Sequence, residues 1–245
     1  MTGSKTILAA AAVALAGSPV LAQQKDWRFG DGEMPERWSL QNRDYALCDS
    51  GLMQSPIDLA SPKAIAPIQV TTNYGAVEST LSVADQKLQL DFPQGMAMMS
   101  GDKQFNLIQV HFHTPAEHAI DGERHPLTAH FVHATDEGEL GVLGVFFVEG
   151  ATNPELQKMI DALEAGNGAT VSVDAKGMIP DQLMVHRYMG SLTTPPCSEG
   201  VNWHVVDQTM TASAQQIAAI EAQLGPTARS LQPLGNRLLV SPSGN

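Results

Sequence analysis

The sequence predicts a mainly β protein in a single domain, with a few helices at the periphery of its sheet. Short stretches rich in Val, Phe and Leu recur along the chain, and several of them alternate apolar with polar residues. Turn residues separate these stretches, and no repeat, low-complexity tract or linker divides them. A length of 245 residues is within reach of one β-rich domain.

Six stretches have the composition of strands, because β-branched and aromatic residues fit a pleated, half-buried surface. They are residues 88–92, 105–113, 128–134, 141–149, 201–207 and 237–240.

Two stretches are predicted to be helices. Asn153 is a good N-cap, and the apolar spacing after it continues to Leu163. Ser213 likewise caps a run that continues to Leu224, and the Gly-Pro pair that follows is a stop signal.

The composition excludes some functions. Hydrophobic residues make up 43 % of the chain, which is enough for a sizeable core and too much for a disordered protein. A net charge of −12 and a pI near 4.9 argue against a nucleic-acid partner, which requires a basic face.

The N-terminus resembles a secretory signal peptide. Lys5 precedes an apolar run over residues 7–15, and small residues lead to a cleavage site after Ala22. The run is too short for a membrane anchor, which requires about 20 apolar residues, and no other stretch is long enough. We therefore expect a signal peptide at 1–22 and a soluble, periplasmic or secreted domain at 23–245.

Two cysteines remain after the signal peptide, Cys48 and Cys197. In an exported protein they favour one disulfide. A pair of zinc ligands is the alternative, although neither cysteine has a second one nearby.

Histidines are concentrated between positions 111 and 130, where five of the eight occur. On a strand His111 and His113 point to the same face, so that both can bind one metal ion. His130 follows 17 positions after His113, which is enough for a loop and an antiparallel return. Three imidazoles and an open fourth position are typical of catalytic zinc. Alternatively, these are surface histidines or core histidines with hydrogen-bond partners.

Five runs of sequence resemble the alpha-class carbonic anhydrases, and they occur in order over nearly the whole mature chain. The runs are QSPID at 54–58, QVHFHTPAEH at 109–118, AHFVH at 129–133, GSLTTPPCSEGVNW at 190–203 and QPLGNR at 232–237.

The resemblance implies a central, twisted, mostly antiparallel sheet of ten strands, with an active-site cone that reaches a zinc ion. It implies that His111, His113 and His130 are the ligands. Thr193 resembles the threonine that accepts a hydrogen bond from zinc-bound hydroxide, and Glu117 resembles the acid that accepts the proton of that threonine. Thr194 resembles its neighbour at the site entrance.

Further roles follow from the same resemblance. An apolar wall for carbon dioxide is implied at Val132, Val142, Leu192, Val201 and Trp203. The shell around the ligands is implied at Gln109, Thr128, His118 and Asn236. The pair Cys48 and Cys197 matches the disulfide of the bacterial members.

The chain departs from the family at Thr128, where members usually have a glutamate that accepts a hydrogen bond from the third ligand. A threonine is shorter and uncharged, and loss of such a partner typically lowers metal affinity or activity about 10–100-fold. We therefore expect a zinc site that is weakened but present. Our hypothesis is that Thr128 and His118, with or without a water, replace the missing contacts of His130.

A second departure concerns proton transfer. Fast members have a histidine where the strand match places Gln86, and glutamine cannot carry a proton at neutral pH. Ala84 replaces an asparagine, and Phe29 replaces a tyrosine that orders water. We expect slow turnover that small imidazole buffers rescue. The remaining histidines are weak candidates for a shuttle: His125, His133, His186 and His204.

The predicted function is reversible, zinc-dependent hydration of carbon dioxide to bicarbonate and a proton, by a monomer or dimer. One alternative is a zinc hydrolase acting on small activated esters. Another is a binding or storage protein with little activity. Retention of all three ligands together with Glu117 and Thr193 favours the enzyme.

Overall fold

The structure is a computed structural model that describes residues 27–30 and 36–242. The predicted signal peptide and its cleavage site lie outside the described residues. Within the described part, no helix has both the length and the apolar character needed to cross a membrane.

Thirteen strands and three α-helices are formed by the described residues. The strands are β1 Ala64–Ile65, β2 Gln69–Thr72, β3 Ala76–Ala84, β4 Lys87–Asp91, β5 Ala97–Ser100, β6 Lys103–His113, β7 Leu127–Ala134, β8 Leu140–Glu149, β9 Thr170–Asp174, β10 Leu183–Ser191, β11 Glu199–Val206, β12 Met210–Ala212 and β13 Val240–Ser241. The helices are α1 Ala46–Ser50, α2 Pro154–Asp161 and α3 Ala214–Leu224.

The strands form one sheet, in which ten of them follow a continuous path in the order β1-β13-β10-β11-β8-β7-β6-β4-β3-β9. The short strands β2, β5 and β12 pair at the side of this path. Most pairs are antiparallel, and the parallel ones are β1 with β13, β11 with β8 and β12 with β8. The predicted fold class is confirmed, and the thirteen strands exceed the predicted ten by the three at the side.

The centre of the sheet is buried on both faces. Val110 and Phe112 of β6 belong to a large apolar cluster on one face. On the other face Val142, Val201 and Trp203 belong to a smaller cluster. Because side chains alternate along a strand, β6 presents His111 and His113 opposite to its apolar pair.

The predicted helices are present with the expected caps. The Asn153 side chain accepts hydrogen bonds from two backbone amides of α2, and Ser213 forms a capping box at the start of α3. The α-helical part of α2 ends at Asp161, before the predicted Leu163, and continues as a 3-10 turn. The predicted strand at 237–240 is wrong for most of its length, because only Val240 of that stretch pairs, with Ala64 and Arg187.

A disulfide joins Cys48 to Cys197, which confirms the predicted bridge. It connects the N-terminal segment with the loop between β10 and β11, across 149 positions of sequence. Since both sulfurs are occupied by the bridge, the alternative that these cysteines bind zinc is wrong.

Candidate metal centre and catalytic pocket

Three histidines converge on one face of the sheet, at the centre of its strand order. His111 and His113 extend from β6, and His130 extends from β7, directly opposite His111 in the antiparallel register. One nitrogen atom from each ring lies within 4.8 Å of the other two. The strand alternation and the β6–β7 register therefore suffice to bring the three rings together.

Hydrogen bonds fix the orientation of two of the rings. His111 Nδ1 lies 2.9 Å from Gln109 Oε1, and His113 Nδ1 lies 2.7 Å from the backbone carbonyl of Thr227. Because both partners are acceptors, each Nδ1 carries the proton and each Nε2 retains a lone pair. His113 Nε2 is buried and has no hydrogen-bond partner among the described residues.

The third ring lacks the outer contact that the other two possess. His130 Nδ1 lies toward the cluster, 3.8 Å from Glu117 Oε2, whereas its buried Nε2 has no hydrogen-bond partner in the described chain. Thr128 Oγ1 instead donates to the carbonyl of Val145 at 3.1 Å. A direct contact from Thr128 to His130 is therefore wrong, because His130 Nε2 has no partner and the Thr128 hydroxyl is directed at the Val145 carbonyl across the β7–β8 ladder.

His118 does not supply the contact either. Its Nε2 shares a hydrogen bond of 2.6 Å with the Tyr188 hydroxyl, and that hydroxyl lies 2.8 Å from Ser55 Oγ. The His118 ring packs 6.2 Å from the His130 ring, centroid to centroid, without a hydrogen bond. The second half of the hypothesis is therefore also wrong for direct contacts, since His118 faces Tyr188.

Glu117 adds a buried carboxylate beside the cluster. Its Oε1 accepts a hydrogen bond from the Arg229 amide at 3.1 Å. Its Oε2 has no hydrogen-bond donor among the described residues and lies 3.4 Å from His113 Nε2. The expected hydrogen bond from Thr193 to Glu117 is not formed between these two described residues, because Oε2 faces the imidazoles instead.

These groups fit a divalent metal ion. Two buried acceptors, His113 Nε2 and Glu117 Oε2, face one another with no donor between them, which is unfavourable unless a cation is near. Burial and the neighbouring His113 lower the pKa values of His111 and His130 well below the ordinary range. Both rings are therefore neutral at pH 7, the form that binds zinc, and three imidazole ligands match an open catalytic site.

A pocket of about 200 Å³ opens onto the cluster. Its lining includes Phe29, Gln86, Gln109 and Thr194 together with the first two histidines. Gln86 occupies the tight turn between β3 and β4 with a φ of 52°, and its Oε1 accepts a hydrogen bond from the Phe29 amide at 3.1 Å. The sequence-predicted residues at the shuttle position and at the site entrance are thus brought to one pocket.

The predicted apolar wall lies beside the third histidine. Trp203 has its ring 4.9 Å from that of His130, and its Nε1 donates to the Ser191 carbonyl at 2.9 Å. All five predicted wall residues pack in the same cluster: Val132, Val142, Leu192, Val201 and Trp203.

One member of the predicted shell is misplaced. Asn236 is exposed in a turn and makes no hydrogen bond to a ligand histidine. Its neighbour Arg237 faces inward instead, with the guanidinium 5.4 Å from the Tyr188 ring centroid.

The other candidate shuttles lie outside the pocket. His125 packs on Phe146 at 4.8 Å between ring centroids. The remaining three have hydrogen-bond partners elsewhere: His133, His186 and His204. None of the four lines the pocket.

Sequence reasoning missed three residues of the site. Thr227 acts through its backbone carbonyl, which no sequence pattern reveals. Arg229 is buried and donates to the Gln54 side chain and to two backbone carbonyls, and a lone arginine in a polar loop gives no such signal. Lys87 lines the pocket, and its place directly after Gln86 on β4 could have indicated this.

Comparisons with known proteins agree with this geometry. A sequence model of the eukaryotic-type carbonic anhydrase family matches residues 33–241. The chain is 35 % identical over 233 residues to a carbonic anhydrase of Nostoc sp., covering 91 % of this chain and 88 % of that protein. It is similar to the solved alpha-carbonic anhydrase of Photobacterium profundum, with a TM-score of 0.77, 35 % identity, and coverage of 88 % and 100 % of the two chains.

A relative with a different name is also similar. Dioscorin dioA3 of Dioscorea japonica is 30 % identical over 222 residues, covering 85 % of this chain and 82 % of that protein.

Proposed function

The chain belongs to the eukaryotic-type, or alpha-class, carbonic anhydrase family, and from this premise we propose that His111, His113 and His130 hold the zinc ion with which it hydrates carbon dioxide. The observation that carries this proposal is the convergence of three imidazoles, with the unpartnered buried atoms His113 Nε2 and Glu117 Oε2 facing one another beside them. Zinc held in this way supplies hydroxide at neutral pH, because it lowers the pKa of a bound water to about 7.

Glu117 and Thr193 orient the reacting oxygen in this proposal. Glu117 Oε2 faces the imidazoles in this structure and has no donor, and in the proposal it accepts from the Thr193 hydroxyl once the metal is bound, because a buried carboxylate oxygen without a donor is a strong acceptor. A hydroxyl that donates to Glu117 has only lone pairs left, and it can then accept only the proton of the nucleophile. The nucleophile's lone pair is thereby aimed at the substrate.

The apolar wall beside His130 supplies the place for carbon dioxide. This substrate has no net dipole and cannot use the polar groups that surround the ligands. Trp203, Val142 and Val201 are each at most 2 % exposed and pack in one apolar cluster, in which Trp203 lies 4.9 Å from the third imidazole between ring centroids. Attack produces bicarbonate, which water displaces.

Proton removal is proposed to limit turnover. Gln86 cannot accept a proton, and its side-chain carbonyl is already engaged by the Phe29 amide. Apart from the two ligand histidines, Lys87 is the ionisable side chain in the pocket lining, and a charged lysine has no lone pair to offer.

The zinc site is proposed to be weaker than one with a full outer shell. His130 Nε2 has no acceptor, so nothing among the described residues raises the basicity of this imidazole or fixes its orientation by a hydrogen bond. An effect of about 10–100-fold on metal affinity is typical for such a loss.

Export to the periplasm or the medium completes the proposal. The disulfide between Cys48 and Cys197 supports an oxidising compartment. The predicted cleavage after Ala22 would leave the enzyme domain at 23–245.

The test is stopped-flow hydration of carbon dioxide by zinc-loaded protein recovered from the exported fraction, its cleavage checked by intact mass. We expect hydration that increases as a small imidazole buffer is added, because the buffer takes over proton removal. Hydration that ignores the buffer would place the slow step elsewhere. Stoichiometric zinc without hydration would overturn the enzyme proposal and support a binding protein.

A further inference from the structure

Lys87 lies on the same face of the sheet as the metal centre. In the antiparallel pairing of β4 with β6, Gln89 is directly opposite His111. Lys87 is two residues before Gln89, so its side chain leaves the strand on the same side. Moving two positions along both strands brings Lys87 toward the level of His113. The register therefore places Lys87 on the face of the two β6 histidines, and its side chain lines the same pocket as they do.

No acidic group neutralises this cation. Lys87 is exposed, and no carboxylate of the described residues lies within 4.0 Å of its ammonium. The nearest acidic residue in sequence, Asp85, is paired with Arg28 at 2.9 Å. Asp91, on the same face of β4, accepts hydrogen bonds from Ser82 and Gln89.

Neutral donors complete the surroundings. Gln109 presents its carbonyl oxygen to His111, which leaves its amide NH₂ as the free end in the pocket lining. Thr194 adds a hydroxyl to the same lining. An ammonium, an amide and a hydroxyl are the donors that a carboxylate, which only accepts, can use.

We propose that Lys87, Gln109 and Thr194 form a subsite for a small carboxylate-type anion at the mouth of the metal pocket. Bicarbonate, the product of the proposed reaction, belongs to this class, and the inference rests on that function for its physiological ligand. The subsite attracts bicarbonate but not carbon dioxide, because carbon dioxide is neutral and gains nothing from the Lys87 ammonium. It favours capture of bicarbonate in the reverse direction and retains it longer in the forward direction.

The experiment measures equilibrium binding of acetate to the cobalt(II)-substituted protein by its visible spectrum, which requires no turnover. Lys87→Met is expected to weaken acetate binding about two- to fivefold, the range of one exposed ion pair. Lys87→Glu is expected to weaken it about four- to twenty-five-fold, because it replaces an attraction by a repulsion of similar size. Lys87→Arg should bind acetate like the native protein.

Two controls isolate the charge at this position. Imidazole, largely uncharged at pH 8.5, should bind all variants equally. Lys103→Met removes a positive charge from the opposite end of β6 and should leave acetate binding unchanged. Equal acetate affinities for the native protein, Lys87→Met and Lys87→Glu would overturn the subsite, as would equal effects at Lys87 and Lys103. If the protein fails to hydrate carbon dioxide but substitution of Lys87 still weakens acetate binding, the proposed function is wrong and the subsite stands.

Discussion

Two groups of histidines occupy opposite faces of the central strands, and among the described residues only one group converges in a way that could hold a metal ion. His133 of β7 and His204 of β11 face away from the three ligands and are fully buried. His133 Nδ1 lies 3.2 Å from the Gly141 carbonyl and its Nε2 bonds to the Tyr74 hydroxyl. His204 Nε2 lies 2.9 Å from Ser100 Oγ. Protein groups thus engage three of their four ring nitrogens.

On the face of the sheet that carries His111, His113 and His130, the hydrogen bonds leave ring nitrogens without a protein partner among the described residues. His111 and His113 each have one nitrogen bonded to an acceptor, and the second nitrogen is directed toward the neighbouring rings. Burial lowers the pKa on both faces, to about 4 for His133 and about 3 for His204. Burial and a lowered pKa therefore do not identify a metal site, whereas convergent unclaimed lone pairs do.

The largest expected effect comes from one substitution made on each face. His113→Gln should abolish stoichiometric zinc binding and carbon dioxide hydration, because it removes a ligand lone pair. His133→Gln should retain zinc and lower the free energy of unfolding by about 1–3 kcal/mol, because the buried partners lose a hydrogen bond. Metal analysis and urea unfolding of both variants measure the two effects. Loss of zinc from His133→Gln would show that the two faces of the sheet do not differ in metal binding.

The next largest effect is a decrease in the free energy of unfolding at acid pH, which we expect from the buried histidines His133 and His204. Below pH 6.5 the unfolded chain protonates His133 and His204, whereas the native state does not until about pH 4 or 3. Since the unfolded state then binds more protons, stability is full above pH 6.5 and falls as the pH drops.

Each of these histidines contributes a slope of about 1.4 kcal/mol per pH unit in this window. Urea unfolding of metal-free protein at pH 7, 6 and 5 measures the slope. His204→Gln should reduce it by roughly 1 kcal/mol per unit relative to the native protein. Parallel pH profiles for the two proteins would show that His204 is already protonated in the native state.

The smallest expected effect is on zinc affinity, and it tests how His130 differs from the two other histidines on its face of the sheet. Thr128→Glu should raise zinc affinity about 10–100-fold, because it gives His130 Nε2 the acceptor that it lacks. Thr128→Val should leave zinc affinity unchanged, because the native hydroxyl donates to the Val145 carbonyl and does not accept from His130 Nε2. Competition with a zinc chelator measures both affinities. A weaker site in Thr128→Val would indicate that the hydroxyl reaches His130 after all.

Sequence reasoning was accurate where a local pattern determines the structure. The alternation of β6 and β7 placed His111, His113 and His130 together, because a strand has a period of two and a hairpin has a simple register. The caps Asn153 and Ser213 were equally local. The pairing of Cys48 with Cys197 followed from the family resemblance.

It failed where several segments compete for one polar atom. The Thr128 hydroxyl bonds to Val145 rather than to His130, and this choice depends on β8 and not on the spacing within β7. Glu117 Oε1 likewise accepts from the distant amide of Arg229, a contact that no pattern around Glu117 indicates. Strands such as β3 and β10 were missed because polar residues interrupt their apolar positions.

The three metal ligands all lie on one hairpin, β6–β7, within positions 111 to 130. Closing a short loop has a small entropic penalty, and local contacts form sooner than distant ones. By contrast, Lys87 and Thr194 reach the pocket only after strands from other parts of the chain have paired. The three histidines are therefore brought together by contacts that are close in sequence, whereas the rest of the pocket requires contacts that are distant in sequence. A folding chain that has formed only this hairpin already possesses all three histidines of the proposed metal site, so that a zinc ion bound there would act as a template for the later strands.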